Sequence, residues 1–161
     1  MKILVYGGRD FGKLAGLTVK ESDYYKQKLR EYKFIMEVLH KITVKYSKNF
    51  NPDDNWLPTD IEIISGMAPG ADSVAVDFAT IHYCSLRQFP ADWQKYKKRA
   101  GFIRNFQMLT EGKPDLGVAF PGNKGTAMMT KLLKDAGIPV EEFTLPSVVP
   151  PSQDTSGPAQ S

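Results

Sequence analysis

Five short stretches of strand character, with segments of helical spacing between them, constrain this chain more than any other feature. They are Lys2–Tyr6, Ile61–Ser65, Ser85–Phe89, Leu116–Phe120 and Val140–Phe143, each with the length and residue types of a strand. Between them apolar residues recur at threes and fours. Leu29, Tyr32, Met36, Leu39 and Thr43 mark one helix, and Ala71, Val74, Ala75, Phe78 and Ala79 a second. Phe102, Ile103, Phe106 and Leu109 mark a third, and Met128, Met129, Leu132, Leu133 and Ala136 a fourth. Parallel neighbours need a long crossover, so strands that alternate with helices predict a parallel sheet covered on both faces. The expected class is α/β: a Rossmann-like three-layer domain with a mainly parallel five-stranded sheet.

With 161 residues there is room for one domain, read here as residues 1–145. Gly12–Asp23 and Tyr46–Asp60 interrupt the alternation. The second carries Asn49, Asn51, Pro52, Asp53, Asp54 and Pro58, a loop composition. From Pro146 to Ser161 the chain reads PSVVPPSQDTSGPAQS, which cannot bury a core and is expected to be disordered.

Composition then removes whole classes of function. Hydrophobic residues make up 42% of the chain and the formal net charge is +3, the pattern of a soluble globular protein. Such mild basicity helps an anionic ligand arrive without indicating nucleic acid. No apolar run approaches the ~20 residues of a membrane span, so no membrane partner is expected. The opening Met-Lys-Ile-Leu-Val-Tyr is too short for a signal peptide, and a cytoplasmic setting is expected. Cys84 stands alone and reads as a buried structural thiol. His40 and His82 each stand alone on a predicted helix, and no cluster has zinc spacing, so neither metal nor cofactor is expected.

The chemistry gathers at the strand ends. In a doubly wound sheet, ligands bind beyond the carboxyl ends of the strands, where the strand order reverses. The first strand ends in Gly7-Gly8-Arg9-Asp10: glycines admit a phosphate or ribose, and Arg9 can pair with an anion. The second ends in SGMAPGAD, where Ser65, Gly66 and Gly70 lead into a helix with Asp72 in its first turn. Asp72 can cap that helix or take a ribose hydroxyl. After the third strand, Trp93 can stack on a base, and Lys97, Gly101, Arg104, Asn105 and Met108 share one helix face. Phe102, Ile103, Phe106 and Leu109 are read as that helix's core side. The fourth strand runs into PGNKGT: Pro121 fixes the corner, Gly122 and Gly125 allow close approach, and Thr126 can cap the next helix or bond a phosphate oxygen. That helix is expected to begin near Ala127.

GGRD, SGMAPGAD, FPADW, AGFIRN and FPGNKGT, in this order and spacing, resemble the YspA/cpYpsA-related branch of the SLOG superfamily. The resemblance covers about Met1 to Phe143 without the two inserted loops. It extends to the LOG phosphoribohydrolases and to the DNA-processing protein DprA. It implies a nucleotide or nucleotide-derived ligand in the crevice these loops form, held as by a sensor or sequestering protein. It also implies a homo-oligomer, with the helix after Thr126 or the helix around Leu29 to Thr43 as the surface. A compact phage or mobile-element protein is one source that fits.

One departure bears on mechanism. LOG-type enzymes carry PGGxGTxxE, and here Met129 stands where the glutamate would be, with Asn123 in place of a glycine. Met129 cannot take a proton or stabilise an oxocarbenium-like centre. The leading expectation is therefore a binding protein. The alternative is a nucleoside 5'-monophosphate N-glycosidase using Asp72 or Asp10 as its carboxylate. A DprA-like nucleic-acid module is the third reading, resting on Tyr96-Lys97-Lys98-Arg99.

Overall fold

Successive residues of the first strand point to opposite sides, and this sets the layers. In β1 (Lys2–Tyr6), Ile3 and Val5 join one apolar cluster while Leu4 and Tyr6 join another. The computed structural model describes residues 1–146, so the expected disorder of the tail falls almost wholly outside the described residues. After β1 come α1 (Asp23–Tyr46), β2 (Glu62–Ser65), α2 (Ala71–His82) and β3 (Ser85–Gln88). One-turn α3 (Trp93–Tyr96) and a 3₁₀ turn (Lys97–Arg99) lead into α4 (Ala100–Thr110), then β4 (Leu116–Ala119), α5 (Lys124–Asp135) and β5 (Val140–Glu142). The strand order is β3-β2-β1-β4-β5 and every pairing is parallel, so the chain is α/β and Rossmann-like, as the alternation predicts.

The first cluster packs α1 and α2 on one face; the second packs α4 and α5 on the other. Gly117 of β4 lets α5 seat closely, because a Cβ there would stand 2.6 Å from Leu133 Cδ1. The strands end one residue earlier than the apolar pattern suggests at Phe89, Phe120 and Phe143. Each of these donates its N–H to the neighbouring strand, to Ser65, Tyr6 and Ala119 carbonyls respectively, as the last rung of the ladder. Among the described residues no helix is long and apolar enough to cross a membrane.

Two expectations are corrected, the inward face of α4 and the start of α5. In α4 the buried stripe is Ala100, Arg104, Asn105 and Met108, whereas Phe102 and Phe106 are each 49% exposed. Polar groups lie inward here because their hydrogen bonds are satisfied inside: Arg104 Nη1 donates to the Gly66 carbonyl and Nε to Asn105 Oδ1. In α1 the buried stripe includes Ile35, Val38 and Ile42 besides Leu39 and Thr43, while Tyr32 and Met36 lie at its margin. In α5 only Met129 and Leu133 are fully buried, and the helix starts at Lys124 instead of near Ala127. Cys84 is buried as expected, and burial, with Asp60 nearby, pushes its thiol up to about 11.

Candidate functional site

The strand order reverses between β1 and β4, and the loops leaving these two strands are tied together. Gly8 N–H donates to the Pro121 carbonyl at 2.8 Å, and Ala71 N–H donates to the Gly8 carbonyl at 3.3 Å. Three strand-end loops thus meet at Gly8. The glycines allow it: a Cβ on Gly7 would stand 2.8 Å from Ala71 Cβ and 2.9 Å from Phe120 Cβ. A Cβ on Gly8 would stand 2.8 Å from the Pro121 oxygen, and one on Gly122 2.8 Å from the Gly8 nitrogen. Gly70 adds a left-handed φ of +80° and a backbone contact with Arg9 that only glycine permits. Gly125 is different, because a Cβ there would meet nothing within 4 Å.

Beside this knot opens a cleft of about 700 Å³, within the range of small-molecule sites. Of the residues singled out in the sequence, Gly7, Gly8, Arg9, Asp10, Asp72, Trp93, Arg104, Asn105, Pro121, Gly122, Gly125 and Thr126 line it. Ser65, Gly66 and Gly70 do not; they build the wall behind it. Ser65 is fully buried, donating from Oγ to the Asp72 carbonyl and accepting from the Met67 N–H. Tyr6, Phe11 and Lys28 also line the cleft and carry no sequence motif.

α5 aims its amino end at this rim. Its N-cap is Asn123, without a side-chain cap bond, so Thr126 lies inside the first turn and does not cap it. The first intrahelical donor is Ala127, which bonds the Asn123 carbonyl. The N–H groups of Lys124, Gly125 and Thr126 precede it and have no partner in the helix. Met129, at 1% exposure, forms part of the apolar floor one turn further on.

Asp72 sits in the first turn of α2, behind the Gly70 N-cap, at 5% exposure. Burial raises its carboxyl to about 6, against the pull of Arg104, the Ala68 amide and Arg9. Arg104 is pulled below its ordinary value by the same burial, with Asp72 opposing. A carboxyl that titrates near neutral pH beside a cation can donate or accept a proton. Arg9, by contrast, is exposed, its guanidinium 5.0 Å from the centre of the Trp93 ring. Trp93 itself is half exposed, with its ring beside Gly101 of α4. Tyr6 closes the base of the cleft, its hydroxyl 2.7 Å from Thr130 Oγ1 and raised to about 12 by burial.

His40 and His82 are not isolated, as the sequence suggests, because α1 and α2 bring their rings to 6.0 Å. Among the described residues no group of three or more His, Cys, Asp or Glu could hold a metal ion.

No protein-family model matches the chain, and no solved structure matches it. It is 33% identical over 97 residues to the Gene 61 protein of Mycobacterium phage D29, a match spanning 53% of this chain and 74% of that protein. The chain belongs to the Gene 61 protein family. A Gene 61-family chain of this kind is thus related to a phage protein, one of the sources the sequence suggests.

Proposed function

We propose that this protein binds a nucleotide or nucleotide-derived small molecule at the carboxyl edge of its sheet, as a sensor or sequestering protein. The observation that carries the reading is the cleft at the strand-order reversal. There the free amino end of α5, the cations Arg9, Lys28 and Arg104, and the carboxyl of Asp72 line one cavity. Anion-binding amides and cations suit phosphate, the polar groups of Asp72 and Asn105 suit ribose, and the half-exposed ring of Trp93 suits a base. The five motifs that resemble the SLOG superfamily supply the loops around this cavity. Met129 in the apolar floor, where a LOG-type enzyme would hold its glutamate, favours binding over turnover.

A second reading, a nucleoside monophosphate N-glycosidase, is favoured by one observation: Asp72 lines the cleft with its carboxyl raised to about 6. The nucleic-acid reading has only the exposed turn Lys97–Arg99, too short to track a strand. For association of copies we propose the outward Phe106 of α4, since the apolar residues of α1 and α5 are largely turned inward and the equally exposed Phe102 lines the cleft.

Mass spectrometry of small molecules released on denaturing the purified protein tests the first two readings together. Gly125→Val is the control, since a Cβ at that position meets no protein atom within 4 Å. Intact nucleotide released by the parent and absent from the variant supports the binding reading. Free base, or ribose phosphate, puts the glycosidase first. If neither is recovered and added nucleotides do not bind, the function is not nucleotide recognition.

A further inference from the structure

Lys28 belongs to none of the strand-end motifs, yet α1 brings it to the cleft wall with its side chain only 12% exposed. What holds it there is Glu31, one helical turn on. Glu31 Oε1 accepts from Lys28 Nζ at 3.0 Å and from the Gly12 N–H at 2.9 Å, while Oε2 accepts from Gln27 Nε2 at 2.9 Å. Burial works to raise this carboxyl, yet the amide of Gly12 with Gln27 and Lys28 holds it below the ordinary carboxylate range. Gly12 has a φ of +75° and a Cβ there would stand 2.8 Å from Ile35 Cδ1, so the turn after Arg9–Phe11 is clamped onto α1. One buried carboxylate therefore fixes both a loop and a lysine of the same cleft.

Arg104 and Lys28 differ in what remains free. Arg104 has Nη1 on the Gly66 carbonyl and Nε on Asn105. Among the described residues Lys28 hydrogen-bonds to Glu31 alone, which leaves two ammonium protons without a protein acceptor. The layers add a spatial fact. α1 covers one face of the sheet and α5 the other, so Lys28 and the amino end of α5 reach the cleft from opposite walls.

Building on the nucleotide reading above, we propose that Lys28 is an anion-binding residue of the cleft, with Glu31 as its positioning residue. The ligand then carries two phosphoryl groups, one at the amino end of α5 and one at Lys28. It is of the nucleoside diphosphate class and not a monophosphate.

Calorimetric titration with ADP, AMP and inorganic pyrophosphate tests this, on the parent, Lys28→Met, Lys28→Arg, Glu31→Gln and the double variant Lys28→Met/Glu31→Gln. Lys28→Met is expected to weaken ADP and pyrophosphate about ten- to a hundredfold, the worth of a charge-assisted hydrogen bond, and to leave AMP within about threefold. Lys28→Arg restores most of the ADP affinity. Glu31→Gln weakens ADP in the parent but adds nothing to Lys28→Met, a coupling that a general loss of packing does not give. Thermal melts confirm that each variant is folded, and the Lys28 variants decide the matter if Glu31→Gln is not. Equal losses for AMP and ADP in Lys28→Met, or no loss, overturn the proposal. Pyrophosphate bound through Lys28 without either nucleotide removes the nucleotide reading alone. If none of the three binds the parent, both fall.

Discussion

Replacing Asp72 by asparagine is expected to make the protein more stable while removing its function. The carboxyl lies 5% exposed in the first turn of α2, and burial outweighs Arg104, Ala68 and Arg9 in setting it near 6, against 3.8 for the free side chain. Because the folded value lies above the unfolded one, ionisation opposes folding. The folded protein is relieved of this opposition as pH falls from neutrality through 6 towards 3.8. A shift of this size corresponds to about 3 kcal/mol at pH 7 to 8, falling below about 1 kcal/mol at pH 4. Asparagine imitates the protonated side chain and escapes the cost. In a chain of this length such a gain raises Tm by roughly 6 to 12 °C at pH 8. Urea denaturation of both proteins at pH 8, 6 and 4 measures the difference directly, with the gap closing as the pH drops. If Asp72→Asn is less stable than the parent at pH 8, the carboxylate is a structural partner of Arg104 and the reasoning fails. It fails equally if the gap does not change with pH. A stable variant that no longer binds or turns over nucleotide would identify Asp72 as a residue kept for function at the expense of stability.

The rim glycines should separate into two groups under substitution. Gly122→Ala, whose Cβ would crowd Thr126 and the Gly8 nitrogen, is expected to lose about 2 kcal/mol or more of stability by urea titration. Gly125→Ala, with nothing within 4 Å, should hold or gain up to about 1 kcal/mol. Phe106→Ser, at a half-exposed position of α4 outside the cleft, should convert an associated protein to a monomer in light scattering with little change in the melt. Cys84, buried and raised to about 11, should resist a thiol reagent at pH 8 until urea unfolds the chain.

The fold was legible because its signals are local. Ile3, Leu4 and Val5, or Ile63 and Ile64, are apolar on both sides of a strand, which points to a central parallel sheet. The glycine clusters mark the strand ends whatever they serve. The polar face of α4 was also legible, since Gly101, Arg104, Asn105 and Met108 share a helical stripe and line the cleft together. What sequence could not show was which face of α4 turns inward. That is decided by the Gly66 carbonyl, 38 residues from Arg104, and not by any property of the helix itself. Lys28 was illegible for the same reason: one lysine among several on α1 becomes part of the cleft only through its contact with Glu31. The meeting of His40 and His82 likewise depends on how α1 crosses α2, which no spacing encodes.

Gly7, Gly8, Gly70 and Gly122 answer to one another's backbones and neighbours before they answer to any guest. In related proteins these positions should consequently stay fixed even where the function differs. A glycine signature shared between two such proteins is then testimony to common ancestry of the scaffold and carries little news of what each one does. Position 125 is where the scaffold makes no such demand, because a Cβ there meets no protein atom within 4 Å.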